Sequence, residues 1–197
     1  MVVRDHGSML QSESSILLVV DVQEAFRSIA GFQGMLPRVL QLVSAARALD
    51  VPIVGTELTP NRMGSTIEEV ISMVDSRLFV PKESFSSLQV QSVASAIEDS
   101  RARSVVLIGC ETHLAVLQTA LQIMATFDCE VHLVADCTAS RRERDRELAM
   151  GRLQRVGVQI TSLEMVLFEW LRDTRHPRFA AVTQKPARNS SADASSH

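Results

Sequence analysis

Val105-Val106-Leu107-Ile108-Gly109-Cys110-Glu111-Thr112-His113-Leu114-Ala115-Val116-Leu117-Gln118-Thr119 holds a strand, a corner and the start of a helix. The unbroken Val-Val-Leu-Ile run predicts a strand buried on both faces. Gly109 ends it, and a helix is expected within a few residues. The first turn of such a helix has unpaired N–H groups and a positive dipole end. A cysteine there would be a nucleophile of depressed pKa. Position 115 carries a methyl group instead.

The same alternation extends in both directions. Strands are expected over Ile16–Val20, Ile53–Thr56, Leu78–Pro81, Val131–Ala135 and Val158–Thr161, besides Val105–Gly109. Helical periodicity fills the gaps over Leu36–Leu49, Thr66–Met73, Leu88–Glu98, Leu114–Phe127, Arg142–Arg155 and Leu163–Arg172. Alternating strands and helices predict an α/β fold. The expectation is one domain in three αβα layers, with a six-stranded, mainly parallel sheet. Residues 1–13 read as an extension, 14–180 as the domain and 181–197 as a disordered tail rich in Ser, Ala and Asn.

Composition narrows the function classes. With 197 residues, 46% hydrophobic, the chain can bury a core. A formal charge of −3 argues against nucleic acid as a partner, because that binding rests on Lys and Arg at phosphates. The absence of Tyr and the single Trp argue against base-stacking platforms. Cys110, Cys129 and Cys137 lack CxxC spacing, which fits a reducing, cytoplasmic setting. No apolar run approaches membrane-spanning length, so no membrane partner is expected.

Ligands of open α/β sheets sit outside the carboxyl ends of the strands. The residues expected there are Asp21, Gln23 and Phe26 after the first strand, and Thr56, Glu57 and Pro60 after the second. Lys82, Phe85 and Ser86 follow the third, and Cys110, Glu111, Thr112, His113 and Leu114 the fourth. Asp136, Cys137, Thr138, Ser140 and Arg141 follow the fifth. Alone, Asp21 reads as a helix cap and Lys82 as a loop lysine. Together they place a carboxylate and an ammonium at one sheet edge. Such a pair can take a proton and steady a developing anion.

These blocks resemble the isochorismatase-like hydrolases, the cysteine hydrolase group. Leu17-Leu18-Val19-Val20-Asp21-Val22-Gln23-Glu24-Ala25-Phe26 is similar to the family's opening strand with its catalytic Asp. Thr56-Glu57, with Pro60 and Gly64, resembles a TEQxPxxLG stretch. Pro81-Lys82-Glu83-Ser84-Phe85-Ser86 resembles the catalytic-lysine block, and Gly109 to Ala115 the nucleophile block. Ala135-Asp136-Cys137-Thr138-Ala139-Ser140-Arg141 and Arg175-His176-Pro177-Arg178-Phe179 look like the eukaryotic isochorismatase-domain-containing proteins in particular. The likeness runs from Ser14 to Phe179.

The resemblance implies a mechanism in which a thiolate attacks a carbonyl carbon. The Asp takes the thiol proton, the Lys supports the charges, and backbone N–H groups hold the oxyanion. It also implies a cis peptide at Cys110–Glu111. Carried over residue by residue, Asp21 and Lys82 match, and the cysteine falls on Ala115. Gln23, Phe26, Glu57, Phe85, Cys110, Glu111, His113, Leu114, Cys137 and Ser140 are then the expected ligand-pocket residues. Cys110 reads as a small buried hydrophobe and Cys137 as a wall residue. His113, near a helix start, is disfavoured as a cation by the dipole.

Three readings stay open. The chain is a degenerate member that binds a small molecule or a partner. Alternatively, it hydrolyses a small amide or vinyl ether with Asp21 and Lys82 alone. Or the alanine was introduced into a working cysteine hydrolase. The nicotinamidase branch binds zinc through an Asp and two His near the second strand, where this chain has no His, so no metal and no cofactor are expected. The relatives implied are dimers or tetramers, and the apolar helix around Met165, Val166, Phe168 and Trp170 is the candidate interface of a homo-oligomer.

Overall fold

Continuous apolar runs can be buried on both faces only inside a sheet covered by helices on each side. The computed structural model, which describes residues 9–184, has that arrangement. Its strands are β1 (Ser15–Val20), β2 (Ile53–Leu58), β3 (Phe79–Lys82), β4 (Ser104–Cys110), β5 (Glu130–Ala139) and β6 (Gln159–Thr161). Their order is β3-β2-β1-β4-β5-β6, and every pairing is parallel. The expected sheet was mainly parallel; it is wholly so. All residues of β1 and β4 are buried, as their composition demands.

The helices are α1 (Phe32–Ala48), α2 (Pro60–Met63), α3 (Glu68–Ile71), α4 (Gln91–Ser100), α5 (Leu117–Thr126), α6 (Glu143–Arg155), α7 (Leu163–Leu171) and α8 (Phe179–Thr183). One apolar cluster joins the sheet to α1, α7 and α8. A second joins it to α4, α5 and α6. Three layers result.

Several expected elements differ in detail. The helix expected over Leu114–Phe127 begins as a π-helical turn, Thr112–Val116, before α5. The segment expected as Thr66–Met73 is one turn long, because its start is bonded instead to the loop after β1, through Thr66 opposite Gln23 and the Ile67 N–H on the Val22 carbonyl. Leu88–Glu98 divides into a 3₁₀ turn, Ser87–Gln89, and α4. Pro81 lies within β3, tolerable because β3 is an edge strand. Strand β5 is longer than expected, and its register against β4 shifts between Leu107 and Gly109. That bulge carries Ala139 alongside Cys110 and so brings Ser140 to the sheet's carboxyl edge.

The ends are also informative. Helix α8 runs to Thr183, past the expected boundary at 181, and Val182 is buried. Leu10, inside the expected extension, is buried too, its amide donating to Glu169 Oε2 at 2.7 Å. The rest of the expected tail, from 185 on, and residues 1–8 of the extension lie outside the described residues.

Gly109 is the one residue type possible at its corner. Its φ of +122° lies where side chains are strained, and a Cβ there would stand 1.9 Å from the Val20 carbonyl oxygen. The close approach of β1 and β4 at this point sets the floor of the site.

Candidate functional site

The carboxyl ends of β1, β2 and β3 bring three side chains together. Asp21 follows β1 with φ +51°, a left-handed conformation that Asp tolerates better than most residues. It caps no helix. Its Oδ2 accepts from Lys82 Nζ at 2.7 Å and its Oδ1 from Thr56 Oγ1 at 2.8 Å. Lys82 also donates to the carbonyls of Ser84 and Phe85, each at 3.0 Å. An ammonium has three protons, and all three find acceptors. Neither Asp21 nor Lys82 has side-chain exposure.

Burial pushes the Asp21 carboxyl up to about 6, against the opposing pull of the Lys82 charge and the bonds it accepts. Burial lowers Lys82, while Asp21 pulls it back up. Burial thus draws the two proton affinities together, and the complete set of acceptors around Nζ favours the ion pair.

A second group surrounds the end of β4. The Cys110–Glu111 peptide is cis, as the resemblance implied. Glu111 is buried, and Arg141 closes over it with its backbone N–H at 2.8 Å and its guanidinium on both carboxylate oxygens. Burial would raise this carboxyl, but the bonds from Arg141 outweigh it and hold Glu111 below its ordinary value. His113 Nδ1 lies 3.0 Å from Ser140 Oγ, and Thr112 Oγ1 donates to the Ala139 carbonyl at 3.1 Å. These contacts tie the π-helical turn to the end of β5.

Ala115 lies in that turn, 2% exposed, within the apolar cluster that also holds Val20, Leu107 and Ala120. Cys110 and Cys137 belong to the opposite cluster, under α1; Cys110 Sγ meets Met35 Sδ at 3.9 Å. Burial pushes both thiols well above their ordinary range. The structure therefore does not bring either sulfur to the face that Ala115 occupies.

The remaining expected residues divide by role. Gln23 bonds the Leu58 amide at 2.7 Å and carbonyl at 3.1 Å, and the Gly64 carbonyl at 2.6 Å. Glu57 accepts from the Thr66 amide at 2.6 Å. Phe26 is buried in the cluster beneath α1. These three shape the walls through internal contacts. Phe85 is 46% exposed and contributes its carbonyl, not its ring, to Lys82. Leu114 and His113 are partly exposed. Among the described residues, no three His, Cys, Asp or Glu side chains are grouped to hold a metal, and no helix is long and apolar enough to cross a membrane.

Sequence reading did not single out Ser87 and Thr119, two buried hydroxyls that continue the network from Thr56. Ser87 Oγ is 3.1 Å from Thr56 Oγ1 and 3.3 Å from Thr119 Oγ1. Thr119 is one helical turn beyond Ala115, the spacing that could have revealed it.

The isochorismatase domain profile matches residues 15–165. The chain is 38% identical over 174 residues to isochorismatase domain-containing protein 1 of Danio rerio, covering 88% of this chain and 61% of that protein. It therefore spans about six-tenths of that relative's length. It is 36% identical over 181 residues to the secreted isochorismatase effector Isc1 of Phytophthora sojae, covering 87% of this chain and 83% of the effector. Among solved structures, that of the MAR1 ribonuclease of Caenorhabditis elegans superposes with a TM-score of 0.83 at 26% identity, covering 93% of this chain and 97% of that one.

Proposed function

The chain belongs to the isochorismatase-domain family, and from that premise we propose a member whose catalytic set has lost its nucleophile. Asp21 and Lys82 occupy the family's acid–base positions, and Ala115 occupies the cysteine's. The protein binds a small molecule or a partner, with little or no hydrolase activity. One observation carries this reading: the side chain at position 115 is a methyl packed into the core beside a complete Asp21–Lys82 pair. Without a nucleophile the pair can hold a proton and offset charge, but no acyl intermediate forms. Cys110 and Cys137 cannot substitute, being buried on the other face of the sheet with their thiols kept protonated.

The ligand-facing surface proposed is the rim formed by His113, Leu114 and the Ser84–Phe85 loop, with Glu111, Ser140 and the buried wall residues behind it. The activity in the name of the C. elegans structure is not carried over, because the −3 charge and the absence of Tyr supply no footing for RNA. Self-association is proposed through α7, where Met165 and Phe168 are 48% and 51% exposed. A reducing, cytoplasmic setting is proposed on the three cysteines, which lack CxxC spacing.

The test is a panel of activated amides and esters. The native chain is expected to give no turnover above background. Ala115→Cys is expected to gain turnover together with one alkylatable thiol. Turnover by the native chain that disappears in Asp21→Ala would overturn the reading in favour of direct acid–base hydrolysis.

A further inference from the structure

The buried hydroxyls beside Asp21 form a chain whose direction is fixed by counting protons. A hydroxyl has one proton to donate. Thr56 gives its proton to Asp21 Oδ1. The 3.1 Å contact between Thr56 and Ser87 must then be donated by Ser87. The 3.3 Å contact between Ser87 and Thr119 must in turn be donated by Thr119. Thr119 is free to do so because its oxygen accepts the Ser87 amide at 2.9 Å. Thr56, Ser87 and Thr119 are each fully buried, so no water competes for these protons.

We infer that Ser87 and Thr119 are positioning residues that act on Asp21 through Thr56, favouring its carboxylate form turned onto Lys82 and coupling helix α5 to its charge. Both carboxylate oxygens already accept, and every proton in the cluster is allocated. Protonating Oδ1 would reverse the chain and strand Thr119's proton. Protonating Oδ2 would set a proton against the Lys82 ammonium. Hydrogen bonds in such a chain polarise one another, so the outer members strengthen the inner one. The other groups facing Asp21 do not replace this effect. Lys82 from β3 is the charged group in contact, and the Cys110 thiol at the end of β4 is protonated. Strand β2 presents the Thr56 hydroxyl and the Leu58 backbone N–H, which also favours the carboxylate, and helix α5 presents the Thr119 hydroxyl.

The arrangement is also mechanically joined. The loop that supplies Ser87 supplies the Ser84 and Phe85 carbonyls to Lys82. It is fastened again to α5 by Ser86 Oγ, which donates to Gln122 Oε1 at 2.6 Å. A movement of the π-helical turn at Ala115, one turn before Thr119 in α5, therefore changes the donors available to Asp21.

The inference goes beyond the proposed function and needs neither ligand nor turnover, so either can fail without the other. The experiment is a carbon-13 carboxyl NMR titration of the full chain, with Asp21 assigned through Asp21→Asn. Thr56→Val is expected to raise the Asp21 midpoint by about one pH unit, the loss of a charge-assisted bond. Ser87→Ala and Thr119→Val are expected to raise it by about a few tenths of a unit, in that order of size. Thr119→Ser restores the wild-type midpoint. A midpoint that moves in Thr56→Val but stays at the wild-type value in both Ser87→Ala and Thr119→Val overturns the relay. If Thr119→Val does not fold, Ser87→Ala reads the same chain one bond nearer.

Discussion

Lys82 Nζ stands 2.7 Å from Asp21 Oδ2, with neither side chain open to solvent, although 61 positions separate them in the chain. A buried ion pair contributes little net stability, but losing one partner strands the other charge. Asp21→Ala and Lys82→Met are each expected to destabilise by about 3 to 5 kcal/mol. The double variant should lose much less than the sum. Urea denaturation of the four proteins measures the coupling. Additive losses would mean that the pair does not act as a unit.

Arg141 covers Glu111 through its backbone N–H and its guanidinium fork. Arg141→Lys keeps the charge but loses the paired geometry. It is expected to cost about 1 kcal/mol, and Arg141→Ala about 2 to 3 kcal/mol. Arg141→Ala should also raise amide exchange, least in the core and most around Thr112–Val116, which hydrogen-exchange mass spectrometry reads directly.

The corner at Gly109 has no room for a side chain. Gly109→Ala places a Cβ on the Val20 carbonyl at a strained φ. A cost of about 3 kcal/mol or more is expected. Melting temperature is the readout, and Gly34→Ala is the control, because nothing lies within 4 Å of a Cβ there.

Acid pH acts on two buried groups with opposite signs. Burial lowers His132 below 6.5, and its Nδ1 has no partner. The unfolded chain therefore takes a proton there first, and stability present above pH 6.5 is lost as pH falls below it. Asp21, raised from 3.8 to about 6, does the reverse. Its contribution is full below pH 3.8 and is lost as pH rises through 6. His132→Gln removes only the first effect. Its stability relative to the native chain should thus improve between pH 7.5 and 5.5, measured by urea midpoints at the two values. A constant difference would refute the assignment.

How much of this was legible in the sequence depended on whether the signal was local. The β4 run and the corner at Gly109 announced themselves, because burial on both faces demands unbroken apolar residues. Asp21 and Lys82 could be placed at one edge because parallel strands all end on the same side. What could not be read was partnership across the chain. Gln23 and Glu57 looked like ligand contacts, yet they bond the backbone of the β2–α3 segment. Cys110 and Ala115 are only five positions apart, yet the chain leaves β4 and enters the π-helical turn between them, and their side chains go to opposite clusters. Ser87 and Thr119 escaped notice because one hydroxyl on a loop and one on a helix carry no pattern until the fold brings them together.

The separation of Cys110 from the Ala115 face has a practical corollary for proteome-wide profiling. On the proposed reading, an electrophilic tag aimed at a sulfur in position 115 would meet a methyl group and pass this protein in silence, even at high abundance. Its presence in a cell should therefore be followed by mass or by antibody, and a blank in such a survey should not be counted as absence.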